Sequence, residues 1–181
     1  IFNIKHWKKL DAKHDEDYLG VQWRQYDKSM VLHMDVYIRT LECMPVDKKW
    51  ILAHVVDAAT FTLYRSLLAK VRWPVSHVIP EMSYGVSHLA ARGEKDVTYE
   101  CVLKLNGLVT ELKKAQDEGG ARITLHAIPL DEMTVVTVFD ASFGKEDGSK
   151  SQSGFLSLIS SNKIAVEEVL CSLVEFQSAV I

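Results

Sequence analysis

An aspartate that closes a run of apolar β-formers is the residue of this chain best suited to chemistry. In Val135-Val136-Thr137-Val138-Phe139-Asp140 both faces are apolar apart from threonine, the pattern of a strand in the middle of a sheet covered on both sides. Taking a carboxylate out of water is costly unless it is paired or bound to a metal. Asp140 at the exit of such a strand would offer hard oxygen ligands of the kind Mg²⁺ takes; an aspartate that merely begins a turn is the plainer alternative. The polar stretch from Gly144 to Gly154 leads into the next strand as a hairpin loop. There Lys150, Ser151 and Ser153 could meet phosphates, or form a solvated turn with Gly148 at its tip.

A second candidate lies at the start of the chain, where Trp7 and Lys8 stand among Lys5, His6 and Lys9. An aromatic ring between cations suits base stacking on a nucleic acid, and a solvated N-terminal strand is the competing reading. Lys70-Val71-Arg72-Trp73-Pro74 is a weaker patch of the same kind. The seven histidines include no pair at metal-ligand spacing, and none neighbours a cysteine. Cys43, Cys101 and Cys171 are odd in number and far apart, which fits reduced thiols of an intracellular protein better than zinc or disulfides.

The elements that must hold these residues change character along the chain. Tyr18–Gln25 and Met30–Met34 flank Tyr26-Asp27-Lys28-Ser29 and predict a hairpin. A short helix is expected at Asp35–Met44, with Asp35 as its N-cap and Pro45 as its stop. Between Lys48 and Arg72 the recurrence of Ile51, Val55, Ala59, Leu63 and Leu67 at every fourth position predicts one apolar helical stripe, broken at Trp73-Pro74. A second helix is expected from about Ser76 or Ile79 to Ala91, with Gly93 at its C-terminal cap. A third runs from Asp96 to Glu118, burying Cys101, Leu105, Leu108 and Leu112, and stops at Gly119-Gly120. The period then falls to two, with strands expected at Arg122–Ile128, Glu132–Asp140, Gly154–Ser160 and Val169–Phe176.

Composition leaves room for a core: 48% of the 181 residues are hydrophobic and 25% charged, near the globular average. The formal net charge of −3 argues against a whole-surface grip on nucleic acid, which needs excess Lys and Arg. No apolar run approaches the ~20 residues that span a bilayer, and the mixed, basic first ten residues do not read as a secretory signal. A chain that opens on Ile1 rather than Met is expected to be a piece of a longer product.

Four blocks in order resemble a known family. Phe139-Asp140-Ala141-Ser142-Phe143-Gly144 followed by Lys150-Ser151-Gln152-Ser153-Gly154-Phe155 resembles the opening hairpin of the ribonuclease H domain in copia-type retrotransposon polyproteins. Phe61–Trp73 and Pro80–Leu89 resemble that family's connection segment. Tyr18-Leu19-Gly20-Val21 and Met34–Ile38 resemble the strand and helix that close its polymerase, and Cys171–Ser178 resembles the third ribonuclease H strand. Ala69 stands where a glycine is common, and Pro80-Glu81 varies an Arg-Pro-Asp turn.

The resemblance implies an α+β chain: a short N-terminal β-hairpin, a helical connector, then a truncated ribonuclease H-like mixed sheet of three or four strands with an exposed edge. It divides the chain into 1–45 (the end of the reverse transcriptase), 46–120 (connection) and 121–181 (an incomplete ribonuclease H-like domain). It implies that the intact parent copies RNA into DNA and cleaves RNA, with Mg²⁺ or Mn²⁺ on Asp140 and an RNA–DNA hybrid or template–primer duplex as partner. It implies no membrane association, and a place in a cytoplasmic particle or the nucleus. The paired aspartates of the polymerase have no counterpart in the chain, and neither does the ribonuclease H glutamate on the helix after the third strand; Glu167, Glu168 and Glu175 read as exposed or sheet-edge carboxylates. Two-metal hydrolysis needs several carboxylates around two ions ~4 Å apart, so this chain alone is expected neither to polymerise nor to cleave, nor to bind a metal tightly. Two other classes stay open: a non-catalytic interaction module derived from a decayed element, and an unrelated α+β protein.

Overall fold

Two consecutive residues with positive φ, Leu19 at 55° and Gly20 at 81°, reverse the chain between β1 (Glu16–Tyr18) and β2 (Val21–Gln25). A two-residue turn of this hand matches the twist of the strands it joins. The computed structural model describes residues 10–146 and 150–180, and for 142–146 and 150 the backbone alone. The chain is α+β, and the expected N-terminal hairpin is present as β2 and β3 (Ser29–His33), closed by Tyr26 N–H donating to the Ser29 carbonyl at 2.7 Å. The Leu19-Gly20 turn divides the first predicted strand in two.

The helices depart from expectation in ways that have physical causes. α1 is shorter than predicted, Asp35–Arg39, and Asp35 lies inside it, with Met34 at the cap position. α2 spans Ala58–Val78, opened by Asp57, whose carboxylate accepts the Thr60 N–H at 2.7 Å. Ile51, Val55 and Leu63 are exposed, and the buried face is instead Tyr64, Leu67, Leu68, Val71, Val75 and Val78. Ile51 and Val55 lie ahead of the helix, in the turn and bridge that precede Asp57. Within it an every-fourth spacing drifts about 40° per step around 3.6 residues per turn, so Leu63 falls off the buried face while Leu67 stays on it. Nor does Pro74 end the helix. A proline withholds the N–H that the carbonyl four residues back would accept, and here the Tyr37 hydroxyl donates to that carbonyl, of Lys70, at 3.2 Å.

The break falls later, at Ile79 (φ −136°, ψ 75°), before a 3₁₀ turn at Pro80–Met82 and α3 (Ser83–Ala90). α3 ends on Ala91 in right-handed helical geometry, so Gly93 is not its cap. α4 (Tyr99–Asp117) starts three residues later than predicted and ends as predicted, with Gly119 at φ 74°. Its face of Cys101, Val102, Leu105, Val109 and Leu112 packs with α2 and α3 into the core, where each fully buried Leu contributes about 1.5–3 kcal/mol. Asn106 fastens the incoming chain to α4, its side chain accepting from Met44 N–H at 2.8 Å and donating to the Met44 carbonyl at 2.9 Å. The Tyr64 hydroxyl donates to the Leu89 carbonyl at 3.0 Å, joining α2 to α3.

β4 (Arg122–His126) pairs with β3, so the first sheet has the order β1-β2-β3-β4. By hydrogen bonding it belongs with the N-terminal hairpin, and the sheet partition falls after His126 rather than at Gly120. The second sheet is an antiparallel meander of β5 (Met133–Glu146), β6 (Lys150–Ser161) and β7 (Cys171–Val180), in that order. All of its pairings are antiparallel, so the described strands lack the parallel member of a mixed sheet. His126 N–H donates to the Ser172 hydroxyl at 2.7 Å where the two sheets meet, and β7 lies against α3. No helix among the described residues is long and apolar enough to cross a membrane.

Candidate functional site

β6, not β5, occupies the middle of the second sheet. The expectation that Asp140 leaves a covered central strand is therefore corrected: β5 is an edge strand, with Val135 65%, Val138 55% and Phe139 81% exposed. An alternation-free apolar sequence is the same whether its cover is present or missing, which is why composition misplaced it. Asp140 sits within β5 opposite Gly154, exposed, and its carboxylate accepts the N–H of Ala141 at 2.8 Å.

Of the other predicted residues, Ser153 lines the same cleft as Asp140, but its side chain does not share Asp140's face. Ser153 pairs with Ala141, one position on from Asp140, so strand alternation sends its side chain to the opposite face. Ser151 shares the face of Ser153 by the same alternation. Lys150 pairs by its backbone with Glu146 at the start of β6, and its side chain lies outside the described atoms. Trp7 and Lys8 lie outside the described residues.

Asp140 instead borders a cleft of about 430 Å³ between the second sheet and the helical connector. Glu81, Ser83 and Tyr84, from the 3₁₀ turn and the start of α3, form one wall. Val138, Asp140, Gln152, Gly154, Leu156, Phe176 and Ser178 form the other, and by register their side chains share one sheet face. Gly154 keeps the cleft open and the strands close: a Cβ there would come 3.3 Å from the Gln177 carbonyl oxygen.

Gln152, only 8% exposed, is the floor. Its amide nitrogen donates to Ser87 at 3.1 Å and Ser178 at 2.6 Å, tying β6 and β7 to α3. Glu81, Tyr84 and Gln152 were not singled out from the sequence. No sequence signal marked Gln152, which stands in the polar run Lys150-Ser151-Gln152-Ser153; its burial appears only in the fold, where a buried amide is there to bond. Among the described residues no three His, Cys, Asp or Glu side chains gather to hold a metal. The described carboxylates at the cleft are Asp140 and Glu81, too few to fix the two ions the family resemblance implies.

A separate charged cluster locks the first sheet. Arg24 donates to both oxygens of Asp15 at 2.8 Å. His33, 9% exposed, sits with Nε2 3.2 Å from Asp15 and Nδ1 3.2 Å from Asp35; the second contact is an ion-pair distance without hydrogen-bond alignment. Hydrogen bonds from Arg24 first, then from His33, hold the Asp15 carboxyl below its ordinary value. This arrangement joins a loop, two strands and α1, with the Arg24 and Asp15 side chains still partly accessible.

Comparison of the chain with family models, with characterised proteins and with solved structures found no match.

Proposed function

We propose that the chain is a piece of a copia-type retroelement polyprotein, comprising the end of the polymerase, the connection helices and the first three strands of a ribonuclease H-like domain. The observation that carries the reading is an antiparallel β5-β6-β7 meander with Asp140 in its first strand, laid against the preceding helices. It is supported by the open outer edge of β5, whose composition is that of an interior strand. In the intact parent, RNA-templated DNA synthesis and RNA-strand cleavage would act on a template–primer duplex or RNA–DNA hybrid inside the cell. Asp140 would supply one carboxylate toward Mg²⁺ or Mn²⁺. The described residues do not complete such a site, so no hydrolytic step is assigned to this chain.

A second reading, a non-catalytic interaction module left by a decayed element, draws on the same exposed strand and the same missing ligands. The nucleotide sequence on either side of the coding region separates the two. An in-frame aspartate-pair motif upstream and a Glu/Asp set downstream support an active parent; stop codons support the relic. An RNA–DNA hybrid cleavage assay with Mg²⁺ or Mn²⁺ tests the inactivity of the isolated chain. Turnover that disappears in Asp140→Asn would overturn it.

A further inference from the structure

We infer that the outer edge of β5 is a self-recognition site, on which a second copy of this chain lays its own β5 antiparallel, with Thr137 on the two-fold axis. This goes beyond the retroelement reading and does not rest on it, because it is drawn from the edge strand alone.

Lysine, proline or a bulge on an edge strand spoils it as a template for another chain. β5 has none of these where it matters. Met133-Thr134-Val135-Val136-Thr137-Val138-Phe139-Asp140-Ala141 contains no Lys, Arg or Pro, and its ladder with β6 is regular from Met133 to Ser142. On its other side β5 pairs with no described strand, and Val135, Val138 and Phe139 are more than half exposed. β7, across the sheet, is the strand that meets β4 and α3, so the open edge is the one farther from the first sheet.

What selects a second copy is the symmetry of the strand. Outward from Thr137 come Val136 and Val138, then Val135 and Phe139, then Thr134 and Asp140. The order of polar and apolar residues is the same in both directions. Antiparallel pairing of two copies that keeps each sheet face continuous puts one residue on the axis, and Thr137 there matches every row. Phe139 meets Val135 of the second copy, flanked by Phe155 and Ile159, their ladder partners within each chain. On the opposite face Val138 meets Val136, flanked by Leu156 and Leu158. Each is a row of four apolar side chains, and the axis repeats it. The central row sets Thr137 against Thr137 between two Ser157 hydroxyls, and Asp140 faces Thr134. Aromatic–β-branched and Thr–Thr pairs are favourable across strands, and like charges directly opposite are not. Moving the axis to Val136 sets Asp140 against Glu132, and moving it to Asp140 sets that carboxylate against itself. The assembly is a closed dimer, because the pairing uses the open β5 edge of both copies.

The test is sedimentation equilibrium of the full chain over a wide range of concentration. The expected result is a reversible monomer–dimer equilibrium with nothing larger. In the dilute monomer every second amide of β5 stays open, and protection of those amides rises with concentration. Phe139→Lys, on the exposed edge and outside the core, should weaken the dimer about tenfold. The register is read by cross-linking in a Cys43→Ser, Cys171→Ser background, which leaves the buried Cys101 as the native thiol. Under mild oxidation Thr137→Cys, brought opposite its own copy, should form a disulfide-linked dimer. Thr134→Cys, brought opposite Asp140, should not, and this pair carries the test if Phe139→Lys does not fold. A monomer at every concentration, association that Phe139→Lys leaves unchanged, species larger than a dimer, or cross-linking through position 134 as readily as through 137 would overturn it.

Discussion

The two halves of the molecule bury opposite kinds of residue. Every buried apolar side chain among the described residues lies between Val21 and Ala121, whereas the buried residues of β5–β7 are Gln152, Ser160 and Ser172, all polar. Yet β5 is among the richest β-branched segments of the chain, and its Val135 and Val138 are more than half exposed. The helical half is held by apolar packing. The second sheet is held by its ladder and by hydroxyl and amide bonds to its neighbours. Apolar sequence marks where cover is wanted, and whether cover exists depends on what else is packed there.

The largest effect that could break this contrast is a core truncation set beside a sheet truncation. Leu105→Ala in α4 should cost about 2–5 kcal/mol in urea unfolding, while Val135→Ala on exposed β5 should cost under about 0.5 kcal/mol. Similar costs would erase the distinction between the halves.

A smaller effect sharpens the account of the helical half. Tyr37→Phe should destabilise by about 0.5–1.5 kcal/mol, because the Lys70 carbonyl loses its donor. In a Pro74→Ala background that carbonyl regains the helical N–H, and the same change should cost measurably less. A double-mutant cycle reads the difference.

Acid pH addresses the clamp of the first sheet. Asp15 has a carboxyl depressed in the folded state by Arg24 and then His33. Its contribution is therefore complete above the ordinary carboxylate pKa of ~3.9 and is lost as pH falls through the lower, folded value. Urea midpoints measured downward from that pH should fall less steeply in Asp15→Asn than in the wild type.

The smallest effect on stability falls on the second sheet. Phe139→Lys should leave the unfolding midpoint nearly unchanged, within about 0.5 kcal/mol. It should reduce concentration-dependent association by light scattering, since a charge on an open edge strand blocks pairing between chains.

Much of the fold was legible because local patterns were obeyed locally. α4 followed its apolar spacing and its terminal glycines, and the N-terminal hairpin followed its polar turn. What failed depended on distant partners. Pro74 sits within a helix because Tyr37, from another element, satisfies Lys70. β4 left its sequence neighbours because β3 offered an edge. Asp140 was legible as an unusual carboxylate, but its neighbours were not. Glu81, Tyr84 and Gln152 meet only after α3 packs on the sheet, and strand alternation separates Ser151 and Ser153 from it.

Amide hydrogen exchange on the isolated chain tests the central contrast most directly. An open edge leaves every second β5 amide without a strand partner, so residues 134–140 should alternate between slow and fast exchange, while the amides of β6 and of α4 are slow throughout. Uniform protection along β5 would mean that its outer edge is covered, and would contradict the placement of Asp140 on an exposed edge strand.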